Sequence, residues 1–431
     1  MKYLIMLVVF WVLQITNAVA EDVISPRKIL TLKDAYQKAI VNSESVAISE
    51  QAILQAEALY QETFSAALPS FSYRYSTLWQ DQSGLPQSDG LGTFTQSPQS
   101  EGAIQFKKTG LTLYKEWAAL RAGKTFIGQR RYEKQHVEQA LLSSVAIAYY
   151  GILEAEENLE TTRQLIDLAK KRLDTLSERA RVGRSRATDP LGAQFQLTVL
   201  GAQEQEALRS AVAQRDLLGF LMADRTNAYL AGSIRVGVSD LKLEDYIEQA
   251  ESRPDIQVRR EAFETAQGAL RIARSKDFPS LDIGINYYTN REGFREPIDW
   301  DASLTLQIPL YSWGANRHAI AAETAQVRQR EQDLKAARRQ AELEVRNAYR
   351  DLFTNRKKMT LAEEGVLLAR QDYELQSQDE KKGLVTSLEV LEALNRLNQA
   401  ERTLTHFRLQ FRLSGLNLKL ISGASPEEAL K

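Results

Sequence analysis

The chain has 431 residues, 26% charged and 43% hydrophobic, and its 55 basic and 56 acidic side chains nearly cancel. This balance excludes the basic footprint that a nucleic-acid partner requires. The absence of cysteine excludes disulfides and thiolate chemistry, although an exported protein could have used disulfides.

The N-terminal residues 1–20 are predicted to be a cleaved signal peptide. Lys2 precedes the apolar run LIMLVVFWVLQI, and Ala18-Val19-Ala20 forms a small-residue cleavage pattern before Glu21. The alternative, a membrane anchor, needs about 20 apolar residues, and this run is shorter. No cysteine follows the cleavage point, so we do not expect an N-terminal lipid anchor.

The rest of the chain is a duplication, with a first repeat at 21–230 and a second at 231–431. LTLKDAYQKA near the start of the first repeat matches LKLEDYIEQA in the second, and ALPSFSYRYS matches DFPSLDIGINYY. Further on, Gly183 with Ala193 matches Gly383 with Ala393. Two similar structural halves are therefore expected.

Long helices dominate both repeats, because apolar side chains recur at helical spacing over long stretches without proline. The predicted helices are 31–67, 118–181 and 190–222 in the first repeat, and 243–277, 315–381 and 386–420 in the second. A continuous helix over 118–181 would reach roughly 95 Å. Helices of this length need lateral partners, and antiparallel coiled-coil pairing of each long helix with its returning helix is predicted.

Each repeat also has a window with the alternation of β-strands. In the first window Phe71, Tyr73 and Tyr75 alternate with Ser72 and Arg74. The predicted strands lie near 69–79, 103–117, 280–290 and 299–313.

The strand windows have two interpretations. They are either amphipathic hairpins that cap the helices or strands that span a membrane. Trp79, Trp117, Trp300 and Trp313 all lie within or at the ends of these windows, which favours the membrane. Spanning strands must close into a barrel, and four strands from one chain are too few, so several chains would have to combine.

Two segments carry a resemblance to a known family. SLTLQIPLYSWGANRHAI at 303–320 and KKGLVTSLEVLEALNRLNQAE at 381–401 resemble a strand-to-helix segment and a helical tip of the TolC family of outer-membrane efflux proteins. The resemblance covers essentially the whole mature chain. It implies a mainly α fold with a β-barrel portion, in which three chains form a twelve-stranded outer-membrane barrel above a periplasmic tunnel of coiled-coil helices.

The resemblance also implies structural turns at prolines and glycines that recur in the two repeats. They are Pro69, Pro279, Pro309, Gly314, Gly183 and Gly383. The first repeat departs from the pattern in two places: Glu116 stands where Pro309 stands in the second, and Asn42-Ser43-Glu44 replaces the usual Asn-Pro.

Acidic residues follow Gly183 and Gly383, the glycines at the first and second helical tips. The resemblance implies that these acidic residues line a pore constriction. Glu389 and Glu392 are three residues apart and share a helical face, while Asp189 corresponds to Glu389 in the first repeat. Rings of these residues would favour cations, and crowding should raise their pKa values. The alternative is two solvated glutamates on a polar face.

Basic residues cluster in the first tip, at Arg181, Arg184 and Arg186. The family locks its closed tips with an arginine two residues after the second glycine, where this chain has Val385. We therefore expect links from this cluster to Glu389, Glu392 or a neighbouring acid. The alternatives are a solvated basic turn or a docking surface for an adaptor.

Catalytic motifs are missing, and the chain is not expected to be an enzyme or to bind a cofactor or metal. His136, His318 and His406 each lack a second histidine or cysteine at ligand spacing. The resemblance implies a passive exit duct of a tripartite efflux pump or type I secretion system. Its partners would be outer-membrane lipid, a periplasmic adaptor and an inner-membrane transporter of the RND or ABC type. A periplasmic coiled-coil adaptor or scaffold is the alternative.

Overall fold

The computed structural model describes most of the chain after the predicted signal peptide. The described residues are 29–79, 99–224, 229–231, 242–292 and 296–430. The predicted signal peptide and most of the segment between the first two predicted strands lie outside them.

Helices make up most of the described chain. They are α1 (Leu32–Asn42), α2 (Glu44–Ala67), α3 (Leu113–Arg181), α4 (Thr188–Met222), α5 (Leu243–Gln249), α6 (Pro254–Arg274), α7 (Ala315–Lys381), α8 (Ser387–Ile421) and α9 (Pro426–Ala429). The strands are β1 (Ile29–Leu30), β2 (Ser70–Leu78), β3 (Gln99–Leu111), β4 (Tyr229–Leu230), β5 (Ser280–Arg291) and β6 (Trp300–Gln307).

The chain divides into two compact units, and each contains parts of both sequence repeats. The tip unit comprises residues 1–44, 138–248 and 344–431, and the sheet unit comprises 45–137 and 249–343. The repeat boundary predicted near residue 230 is therefore not a boundary between compact units.

Two helices predicted as continuous are broken, each for a local reason. The predicted helix 31–67 breaks at Ser43, whose backbone is extended (φ −75°, ψ 120°). The predicted helix 243–277 breaks at Arg253, and Pro254 opens α6 because proline has no backbone N–H to donate to the preceding turn.

The predicted strand 103–117 is wrong at its C-terminal end, because β3 stops at Leu111 and α3 already begins at Leu113. Gly110 has a left-handed backbone (φ 64°), which turns the chain out of the strand. The Glu116 carboxylate then accepts a hydrogen bond from the Thr112 backbone N–H at 3.1 Å, so this residue serves the start of the helix. The predicted strand 299–313 likewise ends early, at Gln307.

The tip unit has its core where α3, α4 and α8 meet. Leu165, Ile166 and Ala169 of α3 are buried against Leu200 of α4 and Leu394 of α8. A second anchor is Tyr149, whose hydroxyl donates to the backbone oxygens of Leu30 (2.9 Å) and Ala231 (3.0 Å), at the short parallel strands β1 and β4. Burial raises the pKa of Tyr149 to about 12.

The sheet unit contains one antiparallel sheet with strand order β2-β3-β5-β6. Each repeat supplies one hairpin, and β3 pairs with β5 to join the two. The neighbouring helices pack closely, since a Cβ added at Gly268 of α6 would lie 2.6 Å from the Ala122 side chain of α3. Strands β2 and β6 are left as the two edges.

Candidate functional site: the sheet faces and the helical tips

One face of the four-stranded sheet is apolar and open. The strand register aligns Tyr73, Ile104, Tyr287 and Trp300 in one row across the four strands. Exposed bulky side chains continue along this face, at Phe71, Phe106, Ile285, Leu304 and Leu306. An exposed apolar sheet face bordered by aromatic residues is typical of strands that face lipid.

The aromatic border is completed after the last strand. Leu310 and Trp313 are 92% and 88% exposed, and the Tyr311 and Trp313 rings make an edge contact at 5.1 Å. Trp313 and Gly314 both have left-handed backbones (φ 52° and 85°), and α7 begins at the next residue. Pro309 lies two residues beyond β6, while Pro69 and Pro279 directly precede β2 and β5.

The opposite face of the same sheet is polar. Ser72, Gln105, Asn286 and Asp301 form a row in register. Asp301 accepts hydrogen bonds from the Asn286 amide (2.7 Å) and the Tyr288 hydroxyl (2.6 Å). An apolar face and a polar face on one sheet are what a strand between lipid and a water-filled lumen requires.

The first helical tip turns at Gly183, whose φ is 73°. The backbone N–H of Arg184 donates to the Arg179 oxygen at 2.8 Å, which closes the end of α3. Asp189 lies in the first turn of α4, where its carboxylate accepts the Ser185 hydroxyl (2.6 Å) and the Arg186 backbone N–H (3.1 Å).

The second tip repeats this geometry 200 residues later. Gly383 has φ 80°, and the Leu384 N–H donates to the Asp379 oxygen at 2.9 Å. Glu389 accepts the backbone N–H (2.5 Å) and the hydroxyl (2.8 Å) of Thr386. The sequence thus correctly pairs Asp189 with Glu389 in position, and both carboxylates hold the start of a returning helix.

The raised pKa expected from a crowded ring of carboxylates stays a prediction, because one chain contains a single copy of Glu389. Its pKa is lowered, because hydrogen bonds from the Thr386 backbone N–H and then from the Thr386 hydroxyl stabilise the carboxylate. Glu392 is exposed one turn further along α8.

The arginines of the first tip do not reach the second within one chain. Arg181 pairs with Glu178 of its own helix at 3.1 Å, and Arg186 contributes its backbone N–H rather than its guanidinium to Asp189. Among the described residues, the guanidinium groups of Arg184 and Arg186 contact neither Glu389 nor Glu392.

A link that sequence reasoning missed joins the first repeat to the second tip. The Arg172 guanidinium donates to both Glu380 carboxylate oxygens (2.9 and 3.3 Å). It also donates to the Ser387 backbone oxygen (3.0 Å) and hydroxyl (2.9 Å). The Arg172 and Glu380 side chains are only 11% and 13% exposed. One signal could have found it: Arg172 has the opposite charge to Asp372, its counterpart in the second repeat.

Two further observations concern the described part of the chain. Its helices include none with the length and apolar character needed to cross a membrane. Its acidic and histidine side chains do not converge in any group of three or more that could hold a metal ion.

Comparison with known proteins gives the family. The model of the outer membrane efflux protein family matches residues 35–219 and 247–424. TolC of Vibrio cholerae is 28% identical over 333 residues, which cover 72% of this chain and 74% of that protein. TolC of Escherichia coli is 23% identical over 93% of this chain and 83% of its own length.

Solved structures share the fold at lower identity. The Campylobacter jejuni CmeC outer membrane channel superposes with a TM-score of 0.77 at 16% identity and covers 92% of this chain and 87% of its own. The Vibrio cholerae outer membrane protein VceC gives 0.78 at 17% identity, over 91% of this chain and 96% of that chain. The expected fold class is confirmed, and the scaffold alternative is not favoured. The chain belongs to the outer membrane efflux protein family, and it is an outer-membrane exit duct for efflux or secretion.

Proposed function

We propose that the duct is a homotrimer that closes at its helical tips, and that Arg172 holds each chain in the closed arrangement. The observation that carries this proposal is the set of hydrogen bonds from one guanidinium to Glu380 and Ser387. Glu380 lies in the last turn of α7, the long helix of the second repeat, and Ser387 begins its returning helix, so a single side chain of the first repeat forms hydrogen bonds on both sides of the second tip.

The burial of this link makes it suited to a two-state gate. Separating the second tip from α3 would leave a charged carboxylate and a guanidinium without partners until water reached them, which opposes opening. Tyr373 lies nearby, and burial raises the pKa of its hydroxyl, with Glu380 adding to the effect and Arg172 opposing it. A packed cluster with one closed arrangement gives a discrete change rather than a gradual one.

Recording single channels in planar lipid bilayers tests the gate. Arg172→Ala should raise the conductance or the open probability, because the second tip loses its link to α3. The matched control is Arg163→Ala, which removes an exposed arginine of the same helix whose partner, Glu204, lies within the first repeat. Identical recordings from the Arg172 variant and the unsubstituted channel would refute the gate proposal.

Glu392 is the better candidate for an acidic ring at the constriction, because Glu389 and Asp189 cap their own helices. Three copies of an exposed carboxylate around one axis would favour cations over anions. Glu392→Gln should therefore lower the cation preference measured from reversal potentials in a salt gradient, and Glu389→Gln should lower it less.

The guanidinium groups of Arg184 and Arg186, which form no ion pair within the described part of the chain, support a docking surface for a periplasmic adaptor. An RND- or ABC-type inner-membrane transporter would supply the energy. Reversing both charges should reduce co-purification of the adaptor and leave conductance unchanged. Altered conductance with normal adaptor binding would instead assign them to gate links between chains.

The trimeric assembly and the signal peptide can be tested by extraction from the membrane and by the N-terminus of the processed chain. A trimeric duct requires detergent for extraction from the outer-membrane fraction and begins near Glu21 after processing. Release by a salt wash alone would support a periplasmic scaffold instead.

A further inference from the structure

Aromatic side chains cluster where the strand β3 gives way to the long helix α3. The Tyr114 ring makes an edge contact with the Phe278 ring, with centroids 5.4 Å apart, and lies 6.2 Å from the Trp117 ring. Leu113 and Trp117 are 80% and 51% exposed. Exposed aromatic rings beside an apolar sheet face are typical of the boundary between lipid and water.

Two guanidinium groups lie against the indole ring of Trp117. The guanidinium of Arg121 is 5.7 Å from the centre of the ring, and that of Arg271 on α6 is 6.0 Å from it. Both distances are within the reach of a cation–π interaction, which is about 6 Å. One exposed indole therefore brings together two cations, one from each repeat.

Neither cation has a carboxylate at hydrogen-bond distance in the described part of the chain. The Arg121 guanidinium lies 3.9 Å from the Glu264 carboxylate. Arg271 forms no ion pair there, and its guanidinium donates to the Gln267 side chain at 3.3 Å. Because two like charges repel each other, an anion that accepts hydrogen bonds from both guanidinium groups would stabilise the arrangement.

A second arginine on an aromatic ring of α3 shows the contrasting case. The Arg130 guanidinium lies 4.9 Å from the centre of the Phe126 ring. Its charge is neutralised within the chain, because the Glu133 carboxylate is 2.7 Å away. Arg130 therefore has no need of an external anion, while Arg121 and Arg271 do.

The spacing of residues along α3 matches the layers at the edge of a bilayer. Leu113, Trp117 and Arg121 are four residues apart, so they share a helical face and each lies about 6 Å further along the axis. The headgroup region is roughly 5–8 Å thick on each side of a bilayer. If Leu113 contacts acyl chains, Trp117 lies among the headgroups. The Arg121 side chain points back toward them, since helical side chains tilt toward the N-terminus.

The same spacing of tryptophan and arginine follows the second hairpin. Trp313 and Arg317 are also four residues apart, and both are exposed. The groove beside Arg317 also contains the Asp277 carboxylate, which offsets its charge. The site around Trp117, with its two guanidinium groups, is therefore the stronger site for an anion.

We propose that Trp117, Arg121 and Arg271 bind the headgroup of an anionic phospholipid from the periplasmic leaflet of the outer membrane. The two guanidinium groups donate to the phosphate oxygens, which their planar arrangement of donors fits. The indole packs beside the glycerol backbone, and Leu113 contacts an acyl chain. A headgroup with a net negative charge binds best, because the ammonium group of a zwitterionic lipid would meet two cations.

Lipid titration of the full-length channel tests this site. The channel is extracted in detergent, stripped of lipid, and given phosphatidylglycerol or phosphatidylcholine with the same acyl chains. Native mass spectrometry then measures the bound lipid. The unsubstituted channel should bind phosphatidylglycerol more tightly than phosphatidylcholine. Combining Arg121→Gln with Arg271→Gln should weaken the binding of phosphatidylglycerol about tenfold, because charge-assisted hydrogen bonds to the phosphate are lost. Arg130→Gln is the matched control and should leave the binding unchanged.

Two results would overturn the proposal: equal affinity of the unsubstituted channel for the two lipids, or unchanged binding of phosphatidylglycerol by the double variant. Inorganic phosphate in place of lipid should not raise the melting temperature, and a rise equal to that with phosphatidylglycerol would overturn the assignment to a lipid. If the double variant does not fold, Arg121→Lys with Arg271→Lys replaces it. This pair should keep the preference for phosphatidylglycerol at reduced affinity, and an unchanged affinity would count against the two guanidinium groups.

Discussion

The two helical tips share one backbone design and differ in charge. Gly183 and Gly383 both have left-handed backbones, and the residue after each closes the preceding helix with a hydrogen bond of similar length, 2.8 and 2.9 Å. The side chains around them diverge. Arg172, Arg184 and Arg186 of the first repeat correspond to Asp372, Leu384 and Thr386 of the second.

The residues that form the turn of each tip are therefore different from the residues that join the two repeats. The turn needs a glycine and a carboxylate six residues later, and both repeats have them. The contact between the repeats needs opposite charges, which Arg172 and Glu380 supply, and their counterparts Asp372 and Ala180 do not form the same pair. The asymmetry of the duplication lies in the contacts between repeats, where two equal copies would repel each other.

The largest expected effect comes from removing Arg172, the side chain that joins the first repeat to the second tip. Arg172→Ala leaves Glu380 largely buried without its cation, at a cost of about 3 kcal/mol to the closed tip. Asp372→Ala, at the matching position, should cost less than about 1 kcal/mol because its ion pair with Arg396 is exposed. Hydrogen–deuterium exchange of the amides in residues 376–392 measures both. Equal exchange in the two variants would contradict the assigned difference.

The sequence predicts the tips better than it predicts the contact between the repeats, for physical reasons. Gly183 and Gly383 are visible because a helix end that uses a left-handed residue favours glycine, whatever packs around it. Arg172 is one charged residue among many on a long helix, and its role depends on Glu380, more than 200 residues away. No local pattern contains that contact. The internal comparison with Asp372 is the one clue within the sequence itself.

In the sheet, too, some features can be predicted from the sequence and others cannot. Alternation reveals the faces of the strands, because side chains on a strand point to opposite sides in turn. The ends of the strands are harder to predict: apolar residues continue past Leu111 into α3, and the turn at Gly110 with the cap from Glu116 is a matter of local geometry. In the same way, Ser43 interrupts a helix whose apolar spacing continues on both sides of it.

An intermediate effect is expected from the tip glycines, and it should be nearly equal in the two repeats. Gly183→Ala and Gly383→Ala each force a side chain into a left-handed conformation, which costs about 1–2 kcal/mol. The control is Gly192→Ala on α4, which has no neighbouring atom within 4 Å of the added carbon and should leave the tip unchanged or slightly more stable. Limited proteolysis measures these effects: cleavage at the tips should be faster in the Gly183 and Gly383 variants than in the Gly192 variant. A large difference between the two tip glycines would show that the shared backbone geometry does not bear equal strain.

The smallest expected effect is a pH dependence of the second tip through Glu389. Its pKa is lowered in the folded chain by the hydrogen bonds from Thr386, so its contribution to stability is present above the ordinary carboxyl pKa of 4.5 and is lost as the pH falls through the lower folded value. Exchange of the amides in residues 384–392, corrected for intrinsic rates, should therefore rise below about pH 4.5. Glu389→Gln removes the titrating group, and the rise should disappear while the first tip, with Asp189 in place, behaves as before. A rise that persists in this variant would assign the acid sensitivity to another carboxylate.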